Sequence, residues 1–102
     1  MIFGQLAAAA TTNEVVDNGI FKRVVTQINV CNRTGGALTF RIYVVKADET
    51  LGTQHAYVYD ISLAANDRAV FTDDIPLELS DKIFFYASNT GLSVSVFGVQ
   101  SG

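Results

Sequence analysis

One cysteine, one proline, one histidine and no tryptophan among 102 residues exclude several ways of building or using a small protein. Cys31 has no partner for an intrachain disulfide, which argues against a disulfide-stapled secreted scaffold and leaves stability to packing. That suits assembly in a reducing cytoplasm. Charge is also scarce: 17% of the residues are charged, against about 25% in an average soluble domain. The seven basic residues stand singly except for Lys22-Arg23, and the net charge is −3. A nucleic-acid binder needs a basic patch to displace counterions, so no nucleic-acid partner is expected. No apolar run approaches the ~20 residues of a membrane helix. Met1 to Ala10 lacks the basic flank and the length of a signal peptide. A soluble chain with no membrane partner is therefore expected.

What the chain has is alternation. The length is that of one domain, burying roughly 60–70% of the surface its unfolded chain would expose. From Ile20 to Asn32, Ile20, Lys22, Val24, Thr26, Ile28 and Val30 share one face, and this face is expected to be the core side from Val24 onward. Arg33-Thr34-Gly35-Gly36 supplies turn chemistry. Leu38, Phe40, Ile42 and Val44 then alternate with Thr39, Arg41, Tyr43 and Val45, and the two runs predict an antiparallel hairpin. After a polar loop, Tyr57, Tyr59, Ile61 and Leu63 share a face. Ala65-Asn66-Asp67 reads as a tight turn into Arg68 to Thr72, and Pro76 forbids a central strand between Asp73 and Asp81. Lys82 to Ser88 is apolar enough for burial on both sides, and Asn89-Thr90-Gly91 reads as a hairpin loop. The last run alternates Leu92, Val94 and Val96 with Ser93, Ser95 and Phe97. Turn signals every 8–12 residues suit a sandwich or small barrel, and the fold expected is all-β, a single antiparallel sandwich, jelly-roll or Ig-like, of about 6–8 strands. The predicted division is an N-terminal arm over 1–14 and a sandwich over 15–102. Alanines around Gln5 to Ala10 would tolerate a short helix, but the missing cap and periodicity favour an extended arm.

Chemistry-bearing residues are few. His55 is the one candidate acid–base group and stands in no catalytic motif. Cys31, on an alternating strand, reads as a small hydrophobe. Asp73, Asp74, Glu78 and Asp81 cluster in one loop without calcium-site spacing, and read as solvated. Asn32-Arg33-Thr34 matches the glycosylation triplet without a secretion signal. Phosphate loops, dinucleotide fingerprints and nucleophile elbows are absent. No catalytic residue, cofactor or metal is expected, and the chain is not read as an enzyme. Tyr57 and Tyr59 could contribute to a sugar-binding platform, but two rings are few.

Stickiness is the remaining theme. Low charge suits a protein packed against neighbours, and it equally suits a well-filled sandwich. The last strand, Leu92 to Val99, carries no charge and would need a partner if it lay at an edge. The expected interface residues are Ile2, Phe3, Gln5 and Leu6 in the arm, and Val94, Val96, Phe97 and Val99 in the last strand.

Val30-Cys31-Asn32-Arg33 before a glycine turn, followed by Leu38-Thr39-Phe40-Arg41-Ile42, resembles a family of small tailed-phage virion proteins, cyanophage examples included. Gly4-Gln5, Tyr59-Asp60, Ala65-Asn66-Asp67, Leu79-Ser80-Asp81, Tyr86-Ala87-Ser88 and Phe97-Gly98 extend the resemblance in order along the chain. The sequence departs from it between Val15 and Phe21, where Asp17-Asn18-Gly19 replaces a proline-glycine turn. The resemblance implies a non-enzymatic sandwich present in many copies on a particle. Its expected partners are other virion proteins, the major capsid protein or tail proteins, and further copies of itself. The expected location is the virion, after assembly in the host cytoplasm. Capsid decoration, in which a cement subunit buries apolar area across capsomer seams, is the leading role. A tail- or fibre-attached module that binds surface glycan is the alternative.

Overall fold

The structure is a computed structural model that describes residues 1–17 and 22–101. Ile20 and Phe21 of the first alternating run, and the Asn18-Gly19 turn, lie outside the described residues. Alternation is realised as β1 (Ile2–Ala7), β2 (Thr12–Asp17), β3 (Lys22–Asn32), β4 (Leu38–Val45), β5 (Ala56–Leu63), β6 (Arg68–Phe71), β7 (Ile75–Leu77), β8 (Lys82–Ala87) and β9 (Leu92–Ser101). A single 3-10 turn, Thr53–His55, precedes β5. Among the described residues no helix is long and apolar enough to cross a membrane.

The strands form two antiparallel sheets packed face to face. Sheet A has the order β1-β9-β3-β6, with β7 also pairing with β3, and sheet B has the order β2-β8-β4-β5. Only β4 and β5 are joined as a hairpin within one sheet, and β6 and β7 lie in succession along β3. All other consecutive strands lie in opposite sheets. This is the jelly-roll arrangement of the sandwich rather than the Ig-like one.

That topology corrects two expected hairpins, because β3 and β4, like β8 and β9, lie in different sheets. Gly and Asn reverse a chain equally well within a sheet and across a sandwich. At the first corner, Asn32 is 1% exposed. Its Nδ2 donates toward the carbonyls of Gly36 (2.8 Å), Leu63 (3.1 Å) and Ala64 (3.2 Å). Its Oδ1 accepts from the Thr34 N–H and hydroxyl at 2.9 and 2.7 Å. A buried amide satisfied this fully ties three chain segments into one corner. Gly91, at φ +119°, sits where a Cβ would come within 2.2 Å of the Thr34 methyl, so the β8–β9 connection packs on the same corner.

The inward face of β3 also differs from expectation. A bulge between Val25 and Gln27 inserts Thr26 and shifts the phase of alternation. Val25 therefore faces the core before the bulge, and Ile28 and Val30 face it afterwards, while Val24 is turned outward. On β4 and β9 the inward residues Phe40, Ile42, Leu92, Val94 and Val96 follow the alternation as read, while β8, expected to be buried on both sides, buries Ile83 and Phe85 and leaves Phe84 and Tyr86 half-buried. Phe40 of sheet B stacks on Phe85 at 5.7 Å and meets Phe71 of sheet A edge-on at 6.1 Å, so aromatic contact joins the two layers.

Residues 1–14 are not an arm. β1 pairs with β9 and β2 with β8, which places the predicted boundary at residue 14 inside a strand. The physical reason is that β9 buries Val94 and Val96 and needs a neighbour on each side, and β1 supplies one with Leu6 packed on the core. Gly4 permits the approach, since a Cβ there would lie 2.3 Å from the Val15 carbonyl oxygen. With β1 on one side and β3 on the other, β9 is central, and the expected need of an exposed last strand for a partner falls away.

Candidate functional site

In the register of sheet A, Ile2, Gln5 and Ala7 on β1, Ser93, Ser95, Phe97 and Val99 on β9, and Val24, Gln27, Asn29 and Cys31 on β3 all point away from the core. Val70 of β6 and Pro76 of β7 continue the surface. Ile2 is 52% exposed, Val99 60% and Val70 43%. The polar members of this face engage one another: Gln5 Nε2 reaches Ser95 Oγ at 3.3 Å, and Gln27 Nε2 donates to Asn29 Oδ1 at 2.8 Å. Charge stands only at the ends, with Arg68 opposite Cys31 and the Lys22–Glu78 pair (3.9 Å) beside Val24 and Pro76. A shallow hollow of about 300 Å³ runs between β1 and β9, lined by Gln5, Leu6, Ala7, Ser93, Val94 and Ser95.

Of the eight expected interface residues, Ile2, Gln5, Phe97 and Val99 gather on this face. Val94 and Val96 are buried at 2% and 0% exposure, and Leu6 and Phe3 pack against the core, so these four build the sandwich. Period two assigns the alternate residues of a strand to opposite faces, and the expected set had taken both. Phe3 additionally lies under the Arg23 guanidinium at 4.6 Å. Sequence reasoning missed Gln27, Asn29, Ser93 and Ser95. The signal for the serines was their alternation with Val94 and Val96.

The outward face of sheet B is built differently. Arg41 lies over Tyr59 (4.0 Å) and Tyr86 (4.6 Å) and pairs with Asp60 through Nε (2.6 Å) and Nη2 (3.3 Å). The hydrogen bond it donates to Asp60, followed by one it donates to the Tyr43 hydroxyl, holds this guanidinium above its ordinary pKa. Asp60 has φ 53°, a left-handed conformation at an irregular stretch of β5 that sends Tyr59 out over Arg41. Tyr57 does not share that face. It packs edge-on against Phe71 and donates its hydroxyl to Asp73. Burial, then that hydrogen bond, push the phenol up to about 12. The expected platform of Tyr57 and Tyr59 is thus replaced by Tyr59, Arg41 and Tyr86.

The remaining chemistry-bearing residues are engaged separately. His55 Nδ1 accepts from the Gly52 N–H at 3.0 Å, which places the proton on Nε2, 2.8 Å from Glu49 Oε1. His55 belongs to the 3-10 turn beside sheet B, whereas Cys31 is exposed on sheet A, so the two form no pair. The acidic loop is dispersed as well. Asp73 takes Tyr57, Glu78 takes Lys22, and Asp81, 2% exposed, accepts from Lys46 Nζ (3.3 Å), Ala47 N–H (3.1 Å) and Glu78 N–H (2.9 Å). Among the described residues no group of three or more His, Cys, Asp or Glu is arranged to hold a metal ion. Asn32 of the glycosylation triplet is buried with its amide nitrogen committed to carbonyls.

No protein-family model matches the chain, and no curated protein matches it. Among solved structures, the fold is similar to that of the Anabaena sensory rhodopsin transducer, with a TM-score of 0.52 and 11% identity over 92% of this chain and 99% of that one. Likeness at this identity concerns the fold alone.

Proposed function

We propose that this protein is a non-catalytic structural subunit of a phage virion, acting as a capsid decoration (cement) protein that docks on neighbouring virion proteins. The observation that carries the docking is the outward face of sheet A: thirteen uncharged residues, from Ile2 on β1 to Pro76 on β7, with the charges of Arg68 and Lys22 confined to its ends. Charged residues are depleted from the centres of protein interfaces because burying an unpaired charge is costly. At roughly 25 cal/mol per Å² of apolar area, a modest contact repeated over many copies would hold a shell against internal pressure. The phage setting rests on the motif resemblance.

The test is a charge placed in the middle of that face. Phe97→Glu or Ser95→Glu should abolish occupancy on particles while leaving the isolated protein folded by circular dichroism. Full occupancy of both variants would defeat the reading. Labelled protein seen on tails instead of heads would move the subunit to the tail-attached role.

A second reading is favoured by Tyr59, 47% exposed beside Arg41 and Tyr86: a glycan-binding patch on sheet B. Aromatic faces and a guanidinium offer stacking and hydrogen bonds to a sugar ring. This reading expects saturable binding to host envelope glycan that is weakened by Tyr59→Ala, and a negative glycan screen would remove it.

A further inference from the structure

Each sheet of an open sandwich has two edges, and three of the four edges here are guarded. β2 carries Glu14 and Asp17 and is irregular between Glu14 and Val16. β5 is irregular twice along β4 and holds Asp60 at positive φ. The far edge of sheet A is split into β6, which begins with Arg68, and β7, which contains Pro76. Charges, bulges, prolines and short strands are the devices that stop a sheet from adding another strand. β1 has little of this. Its six residues, Ile2–Ala7, include no charge and no proline, and no charged side chain occurs before Glu14. Its one irregularity lies between Ile2 and Gly4.

The bonding phase of β1 shows which groups are open. The Ala8 N–H donates to the Leu92 carbonyl at 2.8 Å. Bonded and non-bonded pairs alternate along an antiparallel ladder, so Leu6 and Gly4, opposite Val94 and Val96, turn their backbone groups toward β9. Gln5 and Ala7 turn theirs outward, along an exposed edge.

We propose that β1 is a self-pairing edge, joining a second copy of this chain antiparallel about a twofold axis centred on Gln5. The choice of a second copy follows from charge. Antiparallel pairing of a strand with itself sets the central residue opposite its own counterpart, so any charge there would face a like charge. An uncharged edge is the kind that can pair with itself, and among the described edge strands β1 is the one with neither a charge nor a proline. Each Gln5 N–H meets the other copy's Gln5 carbonyl, while Ala7 faces the residue on the other side of the centre. Sheet A becomes continuous across both copies, and their uncharged outward faces lie side by side. A six-residue strand pair buries less than the ~800 Å² per partner of a standard interface, so the dimer is expected to dissociate at about micromolar concentration.

Sedimentation of the full chain over a concentration series tests this. Wild type should shift from monomer to dimer. Gln5→Pro removes an outward N–H without touching the β9 ladder, and should remain monomeric with an unchanged circular dichroism spectrum. Gln5→Glu should weaken the dimer by roughly tenfold or more, with recovery at high salt as screening shortens the reach of the repulsion. If proline compromises folding, the salt-reversible Gln5→Glu effect decides. A wild type that stays monomeric throughout overturns the proposal, as does a dimer that survives Gln5→Glu unchanged. A monomeric wild type leaves docking through sheet A standing, and full particle occupancy of Phe97→Glu and Ser95→Glu leaves the dimer standing, so the two readings fail separately.

Discussion

Sheet A turns Ser93, Ser95, Gln27 and Asn29 to the outside, whereas sheet B turns out Arg41, Tyr59, Phe84 and Tyr86 from shorter strands. On sheet B these side chains complete one another. Tyr43 and Val45 are buried on the outward side at 6% and 3% exposure, the 3-10 turn lies against β4, and Arg41 is held by two rings and a carboxylate. On sheet A the outward residues between its ends are uncharged, and Ile2, Val70 and Val99 stand exposed. The difference teaches that a sheet face can be finished by its own chain or left for another molecule, and that side-chain length and charge decide which. The contrast can be tested by making equivalent changes on both sides.

The largest effect is expected from matched aromatic truncations. Tyr43→Ala should cost about 3 kcal/mol in urea unfolding, because a large buried ring is replaced by a cavity. Phe97→Ala, on the partly exposed face, should cost about 1 kcal/mol. Equal costs would erase the distinction between the faces. Next comes Asp81→Ala, which strands the Ala47 and Glu78 N–H groups and releases the loop beside sheet B, at about 2 kcal/mol by the same measurement.

A smaller and pH-dependent effect is expected where sheet B reaches across to sheet A. Tyr57 is raised from the ordinary 10.0 to about 12, so its neutral form is the one favoured in the folded protein. Its stabilising contribution is complete below pH 10, declines as the unfolded chain ionises first, and is lost once the folded phenol ionises near 12. Tyrosinate absorbance should therefore show one late-titrating tyrosine that is missing in Tyr57→Phe. The least effect should come from Glu14→Gln, which breaks the exposed Lys82–Glu14 pair (3.4 Å): under about 1 kcal/mol, and less in high salt. A larger loss would mean that ion pairs, rather than rings and buried contacts, finish sheet B.

Local alternation is enough to read the inward faces of β4 and β9, because each is regular along the residues that reach the core, whereas the unbroken apolar run of β8 hides which face is buried. Alternation fails on the first part of β3, where one inserted residue, Thr26, turns Val24 outward while Ile28 and Val30 face the core as read, and such a bulge has no marker of its own in Val24 to Gln27. The hairpins were misread because Gly35-Gly36 and Gly91 announce a change of direction and say nothing about which sheet receives the next strand. β1 was taken for an arm because Gly4 and the alanines after Leu6 weaken its pattern. The glycine is there for the Val15 carbonyl, a contact made only in three dimensions. Of the residues expected at an interface, Ile2, Gln5, Phe97 and Val99 share the outward face of sheet A, and the others fall inward because the expected set took both faces of each strand. The Arg41, Tyr59 and Tyr86 group depends on register across three strands, which no single run of sequence contains.

The central position of β9 has a consequence for how the molecule is made. Ile2 pairs with Phe97, and the whole of β3 waits for residues 92–101, so sheet A cannot close until β9 has left the ribosome. During synthesis at about 5–20 residues per second, the inward faces of β1 and β3 have no neighbour between them. Sheet B, whose four strands end with Ala87, has all its members earlier. A nascent chain stalled before Leu92 would therefore expose the apolar underside of an unfinished layer, and that is the stage at which a chaperone has the most to hold.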